Sequence, residues 1–248
     1  MTSNAKTIAW EIINCGLQNA PDPNCVCNAL YNSQCTSKAD FQIPEPWNGD
    51  IENAPKLFVG LNPGFLDVEL YPKLGNQYWT LANGEFDTAK VEDFFEHRFN
   101  SSYKYVQYPN KTKIVPEDYK SLKGRTFWAY VKSIADKILN TSNSNPGVDF
   151  AITEIVHCKS KNIACIPAKC YEECLNKHFD NILSIAQNLK FKVIIGQPAR
   201  ERISKHFGIV SPDKYQWYNI KIYNRSIQII FVDHNAGGGS AKRVPTLP

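Results

Sequence analysis

Five short apolar runs, separated by amphipathic stretches, limit what this chain can become. KLFVG (56–60), DFAITEIVH (149–157), KFKVIIG (190–196), NIKIY (219–223) and IQIIFV (227–232) read as strands. Between them, RTFWAYVKSIADKIL places Phe127, Tyr130, Val131, Ile134 and Ile138 on one helical face. YEECLNKHFDNILSIAQ packs as a helix through Phe179, Ile182, Leu183 and Ile185. Pro198 opens the helix PARERISKHF in its first turn, where a missing N–H costs nothing. Strands alternating with helices imply βαβ units, hence an α/β protein: a three-layer α/β/α sandwich around a mainly parallel sheet. Shorter helices are expected over Lys6 to Asn14 and in VEDFFEHRF, with a cysteine-bearing loop at NCVCNALYNSQC and irregular sequence through Tyr119. No internal repeat and no linker divides the chain. Residues 1–248 therefore read as one domain, with the cysteine-bearing segment 1–45 packed on it.

The hydrophobic fraction, 43%, is enough for a proper core. A net charge of +4 is mildly basic and compatible with a polyanionic partner. MTSNAKTIAWEIINC has neither the basic start nor the continuous apolar stretch of a signal peptide. No apolar run approaches the ~18 residues of a membrane span. The expectation is an intracellular monomer, in cytoplasm or nucleus/nucleoid, with no membrane partner. In such a compartment the eight cysteines are metal ligands or buried thiols rather than disulfides.

Two loops carry polar side chains on bare backbone. The first strand stops at once on Gly60-Leu61-Asn62-Pro63-Gly64, and the last runs into His234, then Gly237-Gly238-Gly239 with Lys242 and Arg243. In parallel sheets such loops meet at the carboxyl edge, where ligands bind. Asn62 could hold a water or a carbonyl, and His234 could donate to a developing anion. Glycines flanked by cations suit close approach to phosphates. The plainer readings are an ordinary strand exit and a loose terminal tail.

GLNPG followed by YPKLGNQYW resembles the first motif of the uracil-DNA glycosylase superfamily, in its mismatch-specific and thymine-DNA glycosylase branch. ITEIVHCKSK and KVIIGQPAR are similar to central segments of the superfamily's iron–sulfur branch, and HNAGGG stands where the superfamily has His-Pro-Ser. The similar stretches cover about half the chain, in the right order. The resemblance implies a monofunctional DNA glycosylase of base excision repair, hydrolysing the N-glycosidic bond of a damaged or deaminated, uracil-like base. In that chemistry the base leaves the stack. Asn62 would position the water, and His234 would stabilise the departing base. Tyr71 would stack on the base, with Gly60, Leu61, Glu154 and Asn235 around it. Ser240, Lys242 and Arg243 would bind the DNA backbone.

The same resemblance implies a cysteine-bound centre. Cys158 and Cys174 are sixteen residues apart, like the third and fourth ligands of the iron–sulfur branch, and Cys15 resembles the first. The compact Cys-x-x-Cys pair of that branch is absent, so the second ligand comes from Cys25, Cys27 or Cys35, with Cys27 favoured. Cys165 and Cys170 read as spare. Four thiolates suit a [4Fe–4S] cluster, with zinc as the alternative. Two departures matter. Glu154 replaces an asparagine that pairs with uracil, and an ionised carboxylate only accepts hydrogen bonds, so Glu154 suits an exocyclic amino group unless burial keeps it protonated. Only fourteen residues follow His234, so the helix expected after the last motif is missing or remade. A non-catalytic iron–sulfur nucleic-acid-binding protein and a hydrolase of nucleosides or RNA are the other classes compatible with these residues.

Overall fold

The computed structural model describes residues 1–34, 37–65, 71–99, 105–107, 114–116, 127–161, 166–234 and 243–245. In chain order the elements are α1 (Ser3–Asn14), α2 (Asn28–Gln34), β1 (Lys56–Gly60), α3 (Thr88–Glu96), β2 (Tyr105–Gln107) and β3 (Ile114–Pro116). They continue as α4 (Phe127–Leu139), β4 (Ala151–Glu154), α5 (Ala168–Cys174), α6 (Asp180–Ile185), β5 (Phe191–Ile195), α7 (Gln197–His206), β6 (Trp217–Ile222) and β7 (Arg225–Val232).

The main sheet has the order β4-β1-β5-β7-β6. β4, β1, β5 and β7 are mutually parallel, while β6 pairs antiparallel with β7. β2 and β3 form a separate antiparallel pair. The α/β class expected from the strand–helix alternation is thus present.

Side-chain alternation along the strands divides the core into two layers. Leu57 and Val59 of β1, Ile194 of β5, and Ile229 and Phe231 of β7 face a cluster built with α1, α2, α3, α5, α6 and α7. Phe58, Ile152, Val193, Ile195, Ile230 and Val232 face the other way, onto Tyr130, Val131, Ile134 and Ile138 of α4. Both faces of the parallel strands are therefore dry, which is why they read as short apolar-rich runs.

The N-terminal segment packs into the first of these clusters. Ile8, Ile12, Ile13, Leu30 and Tyr31 are all buried in it. The stretch 41–50 runs along the edge of β4: Asn48 and Ile152 exchange N–H···O bonds of 2.8 and 2.9 Å. The long helix expected from 171 to 187 is interrupted. α5 passes through a wide π turn, Leu175–Phe179, into α6. Among the described residues, no helix is long and apolar enough to cross a membrane.

Candidate functional site

β1 and β4 stay together beyond their last residues. The Ile155 and Val156 N–H groups donate to the Gly60 and Leu61 carbonyls at 3.1 and 3.0 Å. Further on, Ser160 N–H donates to Pro63 O (3.1 Å), and Phe65 N–H to Ser160 O (3.0 Å). This pairing fixes the half-buried Asn62 at both ends of its carboxamide. Asn62 Nδ2 donates to Cys158 O at 2.6 Å, and Ser160 Oγ donates to Asn62 Oδ1 at 2.8 Å. Leu61 is buried, and Gly64 has open space where a side chain would stand.

Gly60 is bare for a local reason. It lies opposite Glu154, and a Cβ there would run into the Glu154 carboxyl. Glu154 is buried, and its Oε2 has no hydrogen-bond partner among the described residues. Burial, then the nearby charge of Glu45, pushes its pKa well above the usual carboxylate range. A neutral Glu154 carries one O–H donor and so resembles an amide more than a carboxylate. Neighbouring polar groups go elsewhere: His157 Nδ1–H donates to Glu45 O at 2.9 Å, and Lys159 Nζ lies 3.9 Å from Glu45 Oε2.

Tyr71 is placed in the core, at 1% exposure. Its ring meets Phe94 and Phe95 edge-on, at centroid distances of 5.5 and 6.0 Å. Lys159 Nζ sits 3.6 Å from the ring centroid and Arg98 Cζ 5.4 Å from it. No ring face is presented to solvent.

His234 leaves β7 at the same carboxyl edge as Asn62 leaves β1, with β5 between them. Two interstrand spacings separate the strand axes by roughly 10 Å. Asp233 is anchored: Tyr130 Oη–H donates to its backbone O (2.6 Å), Tyr215 Oη–H to its Oδ2 (3.0 Å), and Lys214 Nζ lies 2.6 Å from Oδ1. The His234 ring is exposed and stacks on Phe127 at 5.9 Å. Gly196 keeps positive φ (88°) beneath it; a Cβ there would lie 3.4 Å from His234 Cβ. Arg243 is exposed. Asn235, Ser240 and Lys242 lie outside the described residues, as do Cys35 and Cys165.

The remaining cysteines converge. Cys15 closes α1, Cys25 and Cys27 precede α2, Cys158 follows β4, and Cys174 ends α5. Together with His157 and His178 these five thiols line one small cavity of about 20 Å³, sized for a water or a single ion. Four of them, with His178, also line a wider hollow of about 280 Å³. Cys27 is the hub. Hydrogen bonds from the thiols of Cys158, Cys170 and Cys174 hold its pKa far below that of an ordinary thiol. Cys27 in turn is the leading cause of raised pKa values at Cys158, Cys170 and Cys174. The group thus favours one thiolate and resists a second, a balance that a cation would reverse. Burial keeps both histidines neutral, lowering His157 to about 4 and His178 to about 3.

Thiols and imidazoles are the donor types that soft metals take, and the group lining the cavity includes all four cysteines assigned from the resemblance. As the side chains stand, no group of three His, Cys, Asp or Glu residues is arranged to hold an ion among the described residues. The sulfurs would have to draw together around a metal. Cys170, read as spare, is fully buried, with its Sγ 3.5 Å from that of Cys27. Its four-residue spacing from Cys174, which puts both on one helix face, was the available signal. Cys25 was one of three candidates for the second ligand, whereas His178 and Ser160 carried no such mark. No family model matches this chain, and no curated protein matches it.

Proposed function

We propose that the chain is a DNA glycosylase that hydrolyses the bond between deoxyribose and a uracil-like base. The observation that carries the reading is Asn62: a carboxamide at the carboxyl edge of β1, on an open Gly-Pro turn, held at both ends. Its second N–H and second lone pair remain to orient a water at the anomeric carbon. His234, across the same edge, would donate to the departing base. Arg243, with Ser240 and Lys242, would meet the phosphates.

Glu154, neutral in its buried setting, could donate to a base carbonyl oxygen as an amide would, which brings uracil within its chemistry. Stacking on Tyr71 would require Lys159 to leave the ring face. The thiol cavity has room for a single ion such as zinc, which Cys15, Cys27, Cys158 and Cys174 would hold; a [4Fe–4S] cluster on the same cysteines would need the cavity to open. When bound, either would tie the N-terminal segment to the 158–174 stretch.

The test is incubation of anaerobically purified protein with duplexes carrying uracil, hypoxanthine, xanthine or a G·T mismatch, followed by alkaline cleavage. Nicking that disappears in Asn62→Ala is the expected result. The buried, covered ring of Tyr71 favours one second reading, a non-catalytic nucleic-acid-binding protein with the same metal centre. Tight, salt-dependent duplex binding without any nicking would select it and overturn the first.

A further inference from the structure

We propose that Ser160 is a positioning residue which, with the Cys158 carbonyl, allows the Asn62 carboxamide only one orientation. A terminal amide rotates between two nearly equivalent positions, so an asparagine on an open turn would normally sample both. Here the two anchors differ. The Cys158 carbonyl can only accept, and it takes Nδ2–H at 2.6 Å. The Ser160 hydroxyl supplies the complementary donor to Oδ1 at 2.8 Å.

Turning the amide over would set Oδ1 against the Cys158 carbonyl oxygen, two acceptors face to face with no proton between them. The backbone of Ser160 is paired with the turn it controls: its N–H donates to Pro63 O and its carbonyl accepts from Phe65 N–H. Ser160 is itself 4% exposed, so its hydroxyl has little competing water. The outward N–H and lone pair of Asn62 consequently point in fixed directions. What those directions serve rests on the glycosylase reading; how they are fixed does not.

Two measurements on full-length protein test this. In protein labelled with ¹⁵N-asparagine, the Asn62 side-chain signals, assigned by their loss in Asn62→Ala, should shift in Ser160→Ala while the other asparagine amides stay put. That pattern also shows the variant is folded. On whichever duplex the wild type nicks, Ser160→Ala should slow the single-turnover rate roughly three- to tenfold, the worth of one neutral hydrogen bond. Duplex affinity should stay within about twofold, and Ser160→Thr, which keeps the hydroxyl, should recover the rate.

Unmoved Asn62 signals in Ser160→Ala would overturn the proposal, as would a Thr variant as slow as the Ala variant. A wild type inert on every duplex would instead overturn the glycosylase reading. The Asn62 signals alone would then decide the positioning role.

Discussion

Lys192 offers a sharp test of how this core is built. It stands in the middle of β5, on the same face as its neighbours Leu57 and Ile229, and it is fully buried. Its Nζ has no hydrogen-bond partner among the described residues and lies over the rings of Phe207 and Phe179, at 4.5 and 5.5 Å. Two ring faces return about 2 kcal/mol or somewhat more to a desolvated ammonium. Removing that ammonium from water costs several kcal/mol, so burial wins. The pKa accordingly falls well below 10.5, driven by desolvation, with Asp180 opposing and Arg225 assisting.

Between the folded pKa and 10.5, the unfolded chain holds a proton that the folded chain does not. Stability therefore rises with pH across that window and is lost as pH falls through it. For one proton the slope is about 1.4 kcal/mol per pH unit. Lys192→Met keeps an unbranched side chain, one atom shorter, and removes the titrating amine. At about pH 8 it should be more stable than wild type by the roughly 1–3 kcal/mol of an unsatisfied buried amine plus up to about 1.4 kcal/mol for each pH unit below 10.5 that lies above the folded pKa. Its advantage should shrink as pH rises toward about 10. Urea titrations in reductant, at matched m-values, measure both quantities. A constant gap across that range, or a variant less stable than wild type at about pH 8, would refute the reasoning.

Gly60→Ala should destabilise by about 1–3 kcal/mol, because the new Cβ would lie 2.6 Å from Glu154 Cδ. Glu154→Ala in the same chain should restore most of that loss, and a purely additive double-mutant cycle would refute the contact. Reduced protein should bind cadmium with a thiolate charge-transfer band. Cys27→Ala should weaken that binding at least tenfold, on the order of a lost first-sphere thiolate; unchanged affinity in a competition titration with a chelator would count against the cavity as a metal site.

The parallel strands were legible because most of their residues are buried on both faces and so show as short apolar-rich runs. α4 was legible because only one of its faces is buried, as Val131, Ile134 and Ile138 show by their spacing. α2 was not: its seven residues, NALYNSQ, are too few to form a helix without tertiary packing and show no clear apolar period. Leu30, Tyr31 and Gln34 are instead held by tertiary packing, and Gln34 Nε2 donates to Lys159 O at 2.6 Å. Only Cys158 and Cys174 were linked by their spacing; Cys15 was assigned by resemblance, and nothing local separated Cys27 from Cys25 or Cys35, since what brings these thiols to one cavity is the packing of the N-terminal segment. The hydroxyl of Ser160 and the imidazole of His178 belong to no local pattern, since what makes them matter is a neighbour across the fold. Lys192 illustrates the opposite failure: FKVII shows a cation where none is expected, and nothing nearby in sequence explains how it is accommodated.

The thiol cluster also has a history written into its chain positions. Cys27 and Cys170 touch across 143 residues, and Gln34 reaches Lys159 across 125. At ribosomal rates of about 5–20 residues per second, roughly 7 to 30 s pass between the appearance of Cys27 and that of its partner. Through that interval the N-terminal thiols have neither the sulfur neighbours that tune Cys27 nor the helix that covers it. A newly made chain thus meets oxidants, metals and chaperones with the Cys27 thiol uncovered and still ordinary in its acidity, and only the last third of synthesis supplies the partners that change both.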